Sequence, residues 1–289
     1  MGYSYNSLVR MVEAKHRFAG KDVLTLGNLF PFVTRGQEAL LVARGMDLSL
    51  PKEKFSAHLF TQVLGARSYQ SLDVSSYQGS EIIANLNHPL SADHLGRYDV
   101  VVDAGTLEHL ANLSTALENI FGLLKKGGIY YFGVPCNNWV DHGFFQFSPT
   151  FFRDLCIDNQ GLVLDDLYLG TEDKYYDYAT QSPAFLRALL GSRRKLNVLG
   201  IIRKESDQLQ LNLTQSKYRS LHAGAAPAQP VRTKPPHRRL LRAIRSGISQ
   251  WLTQTALVPL GAKERVSNGL YRLKMRRRQR RNMAAAQRQ

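Results

Sequence analysis

The feature that most constrains this sequence is a strand, helix and strand unit between residues 98 and 135. Three consecutive valines, Val100 to Val102, form the centre of the run Tyr98–Asp103. An apolar run without polar alternation suits a strand covered on both faces. Residues 114–125 then place Leu117, Ile120, Phe121 and Leu124 on one helical stripe. Lys125 and Lys126 fall where they would meet the negative end of the helix dipole, and Gly127-Gly128 would stop the helix. Residues 128–135 supply the next strand.

The same alternation runs through the rest of the body. Helices are expected over 5–19, 37–44, 54–64 and 149–157, and strands over 22–27, 68–74, 81–84, 162–169 and 195–203. About seven strands interleaved with helices predict an α/β chain: a doubly wound, mostly parallel seven-stranded sheet with helices on both faces. Beyond Lys204 the alternation fails. Residues 223–236 hold four prolines among alanines, a linker composition. Residues 238–255 put Leu241, Ile244, Ile248, Trp251 and Leu252 on one helical face and four arginines on the other. The expected division is therefore a domain over 1–205, a linker over 206–237 and a basic helical C-terminal tail over 238–289.

Charge supports that division. The net charge is +15, yet residues 1–204 hold 20 basic and 20 acidic side chains while residues 205–289 hold 18 and 3. A neutral body thus carries a basic tail, and the charge speaks for the tail's partners rather than the body's chemistry. An amphipathic basic helix followed by the basic run 274–281 predicts contact with an anionic membrane surface through 238–281. Nucleic acid is the rival partner for such a run, but few aromatic residues interleave it to stack bases. A solvated tail whose helix docks on the body is a third reading.

Composition, 44% hydrophobic and 21% charged, excludes wholesale disorder and collagen. Cys136 and Cys156 are too few for a disulfide scaffold. No metal site is expected, since Cys136, His142 and Cys156 are scattered and lack a fourth ligand. With no signal-peptide pattern and no run of roughly 18 apolar residues, the expected location is cytoplasmic, peripheral at the inner face of the membrane. There is no Gly-x-x-x-x-Gly-Lys-Ser/Thr loop for a nucleotidase and no Gly-x-Ser-x-Gly elbow for an esterase.

The stretch Tyr-Asp-Val-Val-Val-Asp-Ala-Gly-Thr-Leu-Glu-His-Leu over 98–110, followed by Leu-Leu-Lys-Lys-Gly-Gly-Ile-Tyr-Tyr-Phe-Gly-Val-Pro over 123–135, resembles the fourth and fifth strands of class I S-adenosylmethionine-dependent methyltransferases. The resemblance runs over about 22–204. The segment 141–149, Asp-His-Gly-Phe-Phe-Gln-Phe-Ser-Pro, is similar to a subgroup of methyltransferase-like proteins found among glycan-assembly enzymes. The resemblance implies a Rossmann-like methyltransferase fold, S-adenosylmethionine as cofactor, and methyl transfer to oxygen or nitrogen of a small-molecule or glycan acceptor.

Ligands of doubly wound sheets bind at the carboxyl ends of the strands. That rule and the resemblance give the cofactor candidates Gly27, Asn28, Asp73, Asn85, Asp103 and Gly105. Asp73 would accept ribose hydroxyls, Asn85 would face the adenine amino group, and Asp103 and Gly105 would lie at the methionine part. Asp73, Asn85 and Gly105 also suit ordinary turns and caps. His142 and His109 are the catalytic candidates. His142, beside Asp141 and among Phe144, Phe145 and Phe147, is the preferred proton acceptor, and structural packing is the competing role for both histidines. Tyrosines of 174–178 would roof an acceptor site or pack a lid.

One departure stands out. After the first strand comes Gly27-Asn-Leu-Phe-Pro-Phe-Val, where the family carries Gly-x-Gly-x-Gly. The lost glycines set against the catalytic reading an alternative, a methyltransferase-fold interaction module without activity, recruited to membrane by its tail.

Overall fold

The computed structural model describes residues 2–171, 174–209 and 211–212. The expectations for 238–289, the membrane-binding helix among them, lie outside the described residues. No helix among the described residues is long and apolar enough to cross a membrane. The chain divides into two compact units. Among the described residues, one comprises 2–171, 174–176, 195–209 and 211–212, and the other 177–194.

In the first unit, β1 (Gly2–Ser4) leads into α1 (Tyr5–Glu13), capped by the Ser4 hydroxyl, which accepts from Ser7 N at 3.2 Å. Helix was expected to residue 19, but α1 stops at Glu13 and a single 3₁₀ turn over Lys15–Arg17 leads to Gly20 at φ +71°. Next come β2 (Asp22–Leu26), β3 (Phe30–Phe32), α2 (Arg35–Val42) and α3 (Lys52–His58), the last continued by a wide turn over Leu59–Val63. The central strands are β4 (Ser68–Asp73), β5 (Ile82–Ile83), β6 (Tyr98–Asp103) and β7 (Leu124–Asn137), with α4 (Leu113–Leu123) joining the last two. The unit closes with α5 (Pro149–Asp158), β8 (Leu162–Gly170), β9 (Tyr175–Asp177) and, after the second unit, β10 (Leu196–Lys204).

The main sheet runs β5-β4-β2-β6-β7-β10-β8-β9, eight strands against the seven expected, and β1 and β3 pair separately as a short parallel ribbon. Strands β5 through β7 are mutually parallel, and β10 runs antiparallel between β7 and β8. Such a sheet must be covered on both faces. Val23, Val100, Val102 and Tyr131 accordingly pack with Phe18 and Phe60 on one side, while Phe132 stacks on Phe152 of α5 at 3.9 Å.

Lys125, expected at the negative end of the helix dipole, is held by ion pairs instead. The chain turns from α4 straight into β7 at Leu124, and Lys125 Nζ donates to Asp22 Oδ2 (2.7 Å) and Asp99 Oδ2 (3.1 Å) at the amino ends of β2 and β6. An opposite charge a few ångströms away outweighs a partial helix charge. The second unit is described over 177–194. It holds α6 (Pro183–Leu190), which begins, as α5 does, with a Ser-Pro pair whose serine hydroxyl caps the first turn.

Candidate functional site

Strand register sets the site. Leu26 pairs with Leu72 on one side and with Asp103 on the other, and Asp73 pairs with Ile83. Gly27, Asp73, Asp103 and the approach to Asn85 therefore end adjacent strands on one edge, and parallel strands about 4.8 Å apart put Asp73 and Asp103 about 10 Å from each other. From β2 the chain proceeds outward through β4 and β5 on one side and through β6 and β7 on the other. The order reverses between β2 and β6, where doubly wound folds open a crevice.

A cavity of about 300 Å³ opens beside this crevice, over β6, β7 and the start of β10. Asp103, Gly105, Glu108, Trp139 and His142 line one side and Tyr131, Gly133 and Asn197 the sheet side. Ser4 and Phe32 of the β1–β3 ribbon and Ser7 of α1 close it from another side, and Tyr175, from the predicted roof, also lines it. A second hollow, of about 330 Å³, is lined by Asn28, Phe30, Lys52, Glu53, Tyr77 and Gln78.

Asp103 is fully buried, and its carboxylate is consumed by the protein itself. It accepts from the backbone amides of Gly105 (3.1 Å), Thr106 (2.7 Å) and Leu107 (3.3 Å) and from the Tyr130 hydroxyl (2.7 Å). Burial raises its pKa, and these bonds oppose the rise. Asp103 thus fixes the turn Leu107–His109 from inside, and what it offers the cavity is that turn's geometry. Gly105, at φ +96°, lets the chain reverse; a Cβ there would lie 3.1 Å from Glu108 Oε1.

Glu108, absent from the expected site, is its most unusual member. Its side chain has no solvent exposure, and neither carboxylate oxygen has a hydrogen-bond partner. His142 Nε2 lies 3.5 Å from Glu108 Oε1 and His109 Nε2 3.9 Å from it. The two imidazoles meet edge to face at 5.2 Å, and Trp139 lies 5.0 Å from His142. Burial, with the neighbouring Asp103 charge, raises the Glu108 pKa, and burial lowers both histidines.

These contacts correct the expected surroundings of His142. Its carboxylate is Glu108, not the adjacent Asp141, which is exposed with φ +58°. Its aromatic neighbour is Trp139; Phe144 is 72% exposed, and Phe147 is buried against Phe151 and Phe152. Sequence gave Glu108 only as part of Leu-Glu-His, and a contact across 34 positions leaves no local periodicity to find.

The Gly27 loop is rebuilt rather than merely short of glycine. Gly27 keeps φ +87°. Asn28 is buried, its amide donating to Glu53 O (3.0 Å) and Gln78 O (2.9 Å), while its Oδ1 has no partner. Leu29 is a core residue held by Ser56, and Phe30–Phe32 form β3. Asp73 is half-buried; its Oδ1 takes the amide of Val74 at 2.6 Å, and its Oδ2 has no bond among the described residues. Asn85 is exposed, and its Oδ1 receives Asn87 N and Nδ2 in a local turn. Neither lines either cavity. Cys136 is buried and Cys156 half-buried, both free thiols that burial pushes up to about 12.

No protein-family model matches the chain, and no curated protein matches it. Among solved structures, it is similar to a putative sarcosine dimethylglycine methyltransferase from Galdieria sulphuraria, with 12% identity, TM-score 0.44, and 71% of this chain and 85% of that one covered. It is also similar to the Burkholderia thailandensis 1,6-didemethyltoxoflavin-N1-methyltransferase with bound 1,6-didemethyltoxoflavin and S-adenosylhomocysteine, with 14% identity, TM-score 0.42, and 70% and 78% covered. A third is the N-methyltransferase NodS of Bradyrhizobium japonicum in complex with S-adenosylhomocysteine, with 15% identity, TM-score 0.40, and 70% and 86% covered. By its own strand order and by the antiparallel β10 between β7 and β8, the chain has a Rossmann-like, class I methyltransferase-like fold.

Proposed function

We propose that this chain is an S-adenosylmethionine-dependent methyltransferase acting on oxygen or nitrogen of a small-molecule acceptor, glycans included. The observation that carries the reading is the cavity beside the reversal of strand order, with buried Glu108 and the His142 imidazole at its wall and His109 behind them, 3.9 Å from Glu108. That is where a doubly wound sheet binds ligands, and about 300 Å³ suits a small acceptor group.

The residues present fit the cofactor. Asp73 keeps a carboxylate oxygen without a bond among the described residues, and Asn28 Oδ1 is a buried acceptor without a partner. A nucleoside with ribose hydroxyls and an amino-acid end supplies donors for such acceptors. When bound, S-adenosylmethionine supplies a methyl group on a cationic sulfur, already activated toward a nucleophile. The chain's task is then positioning. Asp73 and Gly27 would hold the ligand at the strand ends, outside the cavity, Gly105 would permit close backbone approach, and the Glu108, His109 and His142 group would meet the acceptor atom and take its proton. Trp139, Tyr131 and Gly133 form part of the cavity wall.

Incubating the full chain with methyl-tritiated S-adenosylmethionine and panels of small alcohols, amines and soluble glycans tests this. Label is expected in at least one class, and Asp73→Ala is expected to suppress it. No label in any acceptor beyond the protein-free control would overturn the reading.

A further inference from the structure

We propose that Glu108, His109 and His142 form a binding site for one divalent transition-metal ion, with an open coordination position facing the cavity. The inference goes beyond methyl transfer and rests on the cluster alone.

Each of the three side chains offers one donor atom, and the three atoms lie within 4.8 Å of one another. Ligand atoms about 2.0–2.2 Å from a metal sit about 3.0–3.5 Å apart across a tetrahedral or octahedral edge. The Glu108 to His142 separation of 3.5 Å already matches, and the Glu108 to His109 separation of 3.9 Å needs only a small rotation.

The second observation is the carboxylate. Glu108 is fully buried, and both of its oxygens lack a hydrogen-bond partner, an arrangement proteins avoid because such a group loses its hydration without compensation. Its Oε1 lies 3.5 Å from His142 Nε2 and 3.9 Å from His109 Nε2, so a cation shared by the three would complete it.

The framework holds these groups in place. Glu108 and His109 share the turn fixed by Asp103. His142 lies on a loop tied to the same residue, for Phe144 N and Phe145 N donate to Glu108 O at 2.7 and 3.2 Å. Gly143, at φ +69°, permits that approach; a Cβ there would come within 2.8 Å of Glu108 Cγ and 2.9 Å of Glu108 O.

Two imidazoles and one carboxylate favour zinc, iron(II) or cobalt(II) over magnesium or calcium, which prefer all-oxygen shells. The histidine side chains are 40% and 37% exposed. The site is therefore open, as metal sites that bind substrate are, rather than closed like structural ones. An acceptor hydroxyl or water on the ion would become more acidic. In that state the histidines act as ligands, and the acceptor's proton leaves to solvent.

The test uses the full chain after chelator treatment and dialysis, without S-adenosylmethionine. Cobalt(II) is followed by its visible absorption bands and zinc by calorimetry. One equivalent is expected to bind. His142→Ala and His109→Ala, at half-exposed positions, should keep the metal-free melting temperature and lose affinity by more than the roughly 10–100-fold typical of removing a supporting partner. His88→Ala, on the surface, should bind as wild type, and Asp73→Ala should keep the cobalt spectrum, so failure of cofactor binding is distinguishable. Absence of both cobalt bands and zinc heat, or binding unchanged by His142→Ala, would overturn the proposal.

Discussion

At the scale of single residues, the site depends on a buried carboxylate used for construction. Asp103 accepts four hydrogen bonds, and one comes from the hydroxyl of Tyr130, itself fully buried. Tyr130→Phe deletes that donor without changing the ring that packs against Phe121 and Phe132. A hydrogen bond to a charged group contributes about 1.5–3 kcal/mol, so urea unfolding should show a loss in that range with an unchanged denaturant slope. A change below about 0.5 kcal/mol would mean that the backbone amides alone hold Asp103. The residues of this constellation were only partly legible in sequence. Asp103, Gly105, His109 and His142 announce themselves by type and place, but Glu108 matters because of what it lacks. A missing hydrogen bond is a property of three-dimensional surroundings.

At the scale of elements, ion pairs fasten strand ends to their neighbours. Asp165 on β8 accepts from Arg203 of β10 at 3.0 and 3.2 Å and from Arg17, after α1, at 3.0 Å. Burial alone would raise its pKa, but the two guanidiniums outweigh burial and hold the carboxyl below the usual carboxylate range. A depressed folded-state pKa gives stability that is present above the unfolded value, near 3.9, and lost as pH falls through the folded value. Wild type should therefore lose stability below about pH 4. Asp165→Asn should be weaker at pH 7 by about 1–2 kcal/mol and should lose less on acidification. Urea midpoints at pH 7, 5 and 3.5 check this; parallel pH profiles for the two proteins would contradict it.

Elements also show where periodicity stops informing. The valine run of β6 and the Ser-Pro start of α5 were legible because burial on both faces and helix capping leave local marks. Strands β1 and β3, three residues each, leave none; neither was expected, yet their pairing closes one side of the cavity. Helix α6 was missed although Ser182-Pro183 repeats the signal of Ser148-Pro149. Lys125 was assigned to a helix end because its partners, Asp22 and Asp99, lie on strands far away in sequence.

At the scale of the molecule, the fold followed from strand order and the chemistry depends on the sheet's carboxyl edge. The edge lines up Gly27, Asp73 and Asp103 on adjacent strands, while the loop that should cradle the cofactor has become a core residue and a short strand. The account requires that acceptors such as Asp73 Oδ2 and Asn28 Oδ1 make up for the lost glycines. Calorimetric titration of S-adenosylmethionine and S-adenosylhomocysteine into the full chain tests this most directly. The account predicts micromolar binding, about −8 kcal/mol, weakened at least about tenfold by Asp73→Ala. No heat, together with a melting temperature unmoved by excess ligand, would contradict it and leave a methyltransferase fold that serves as a binding module.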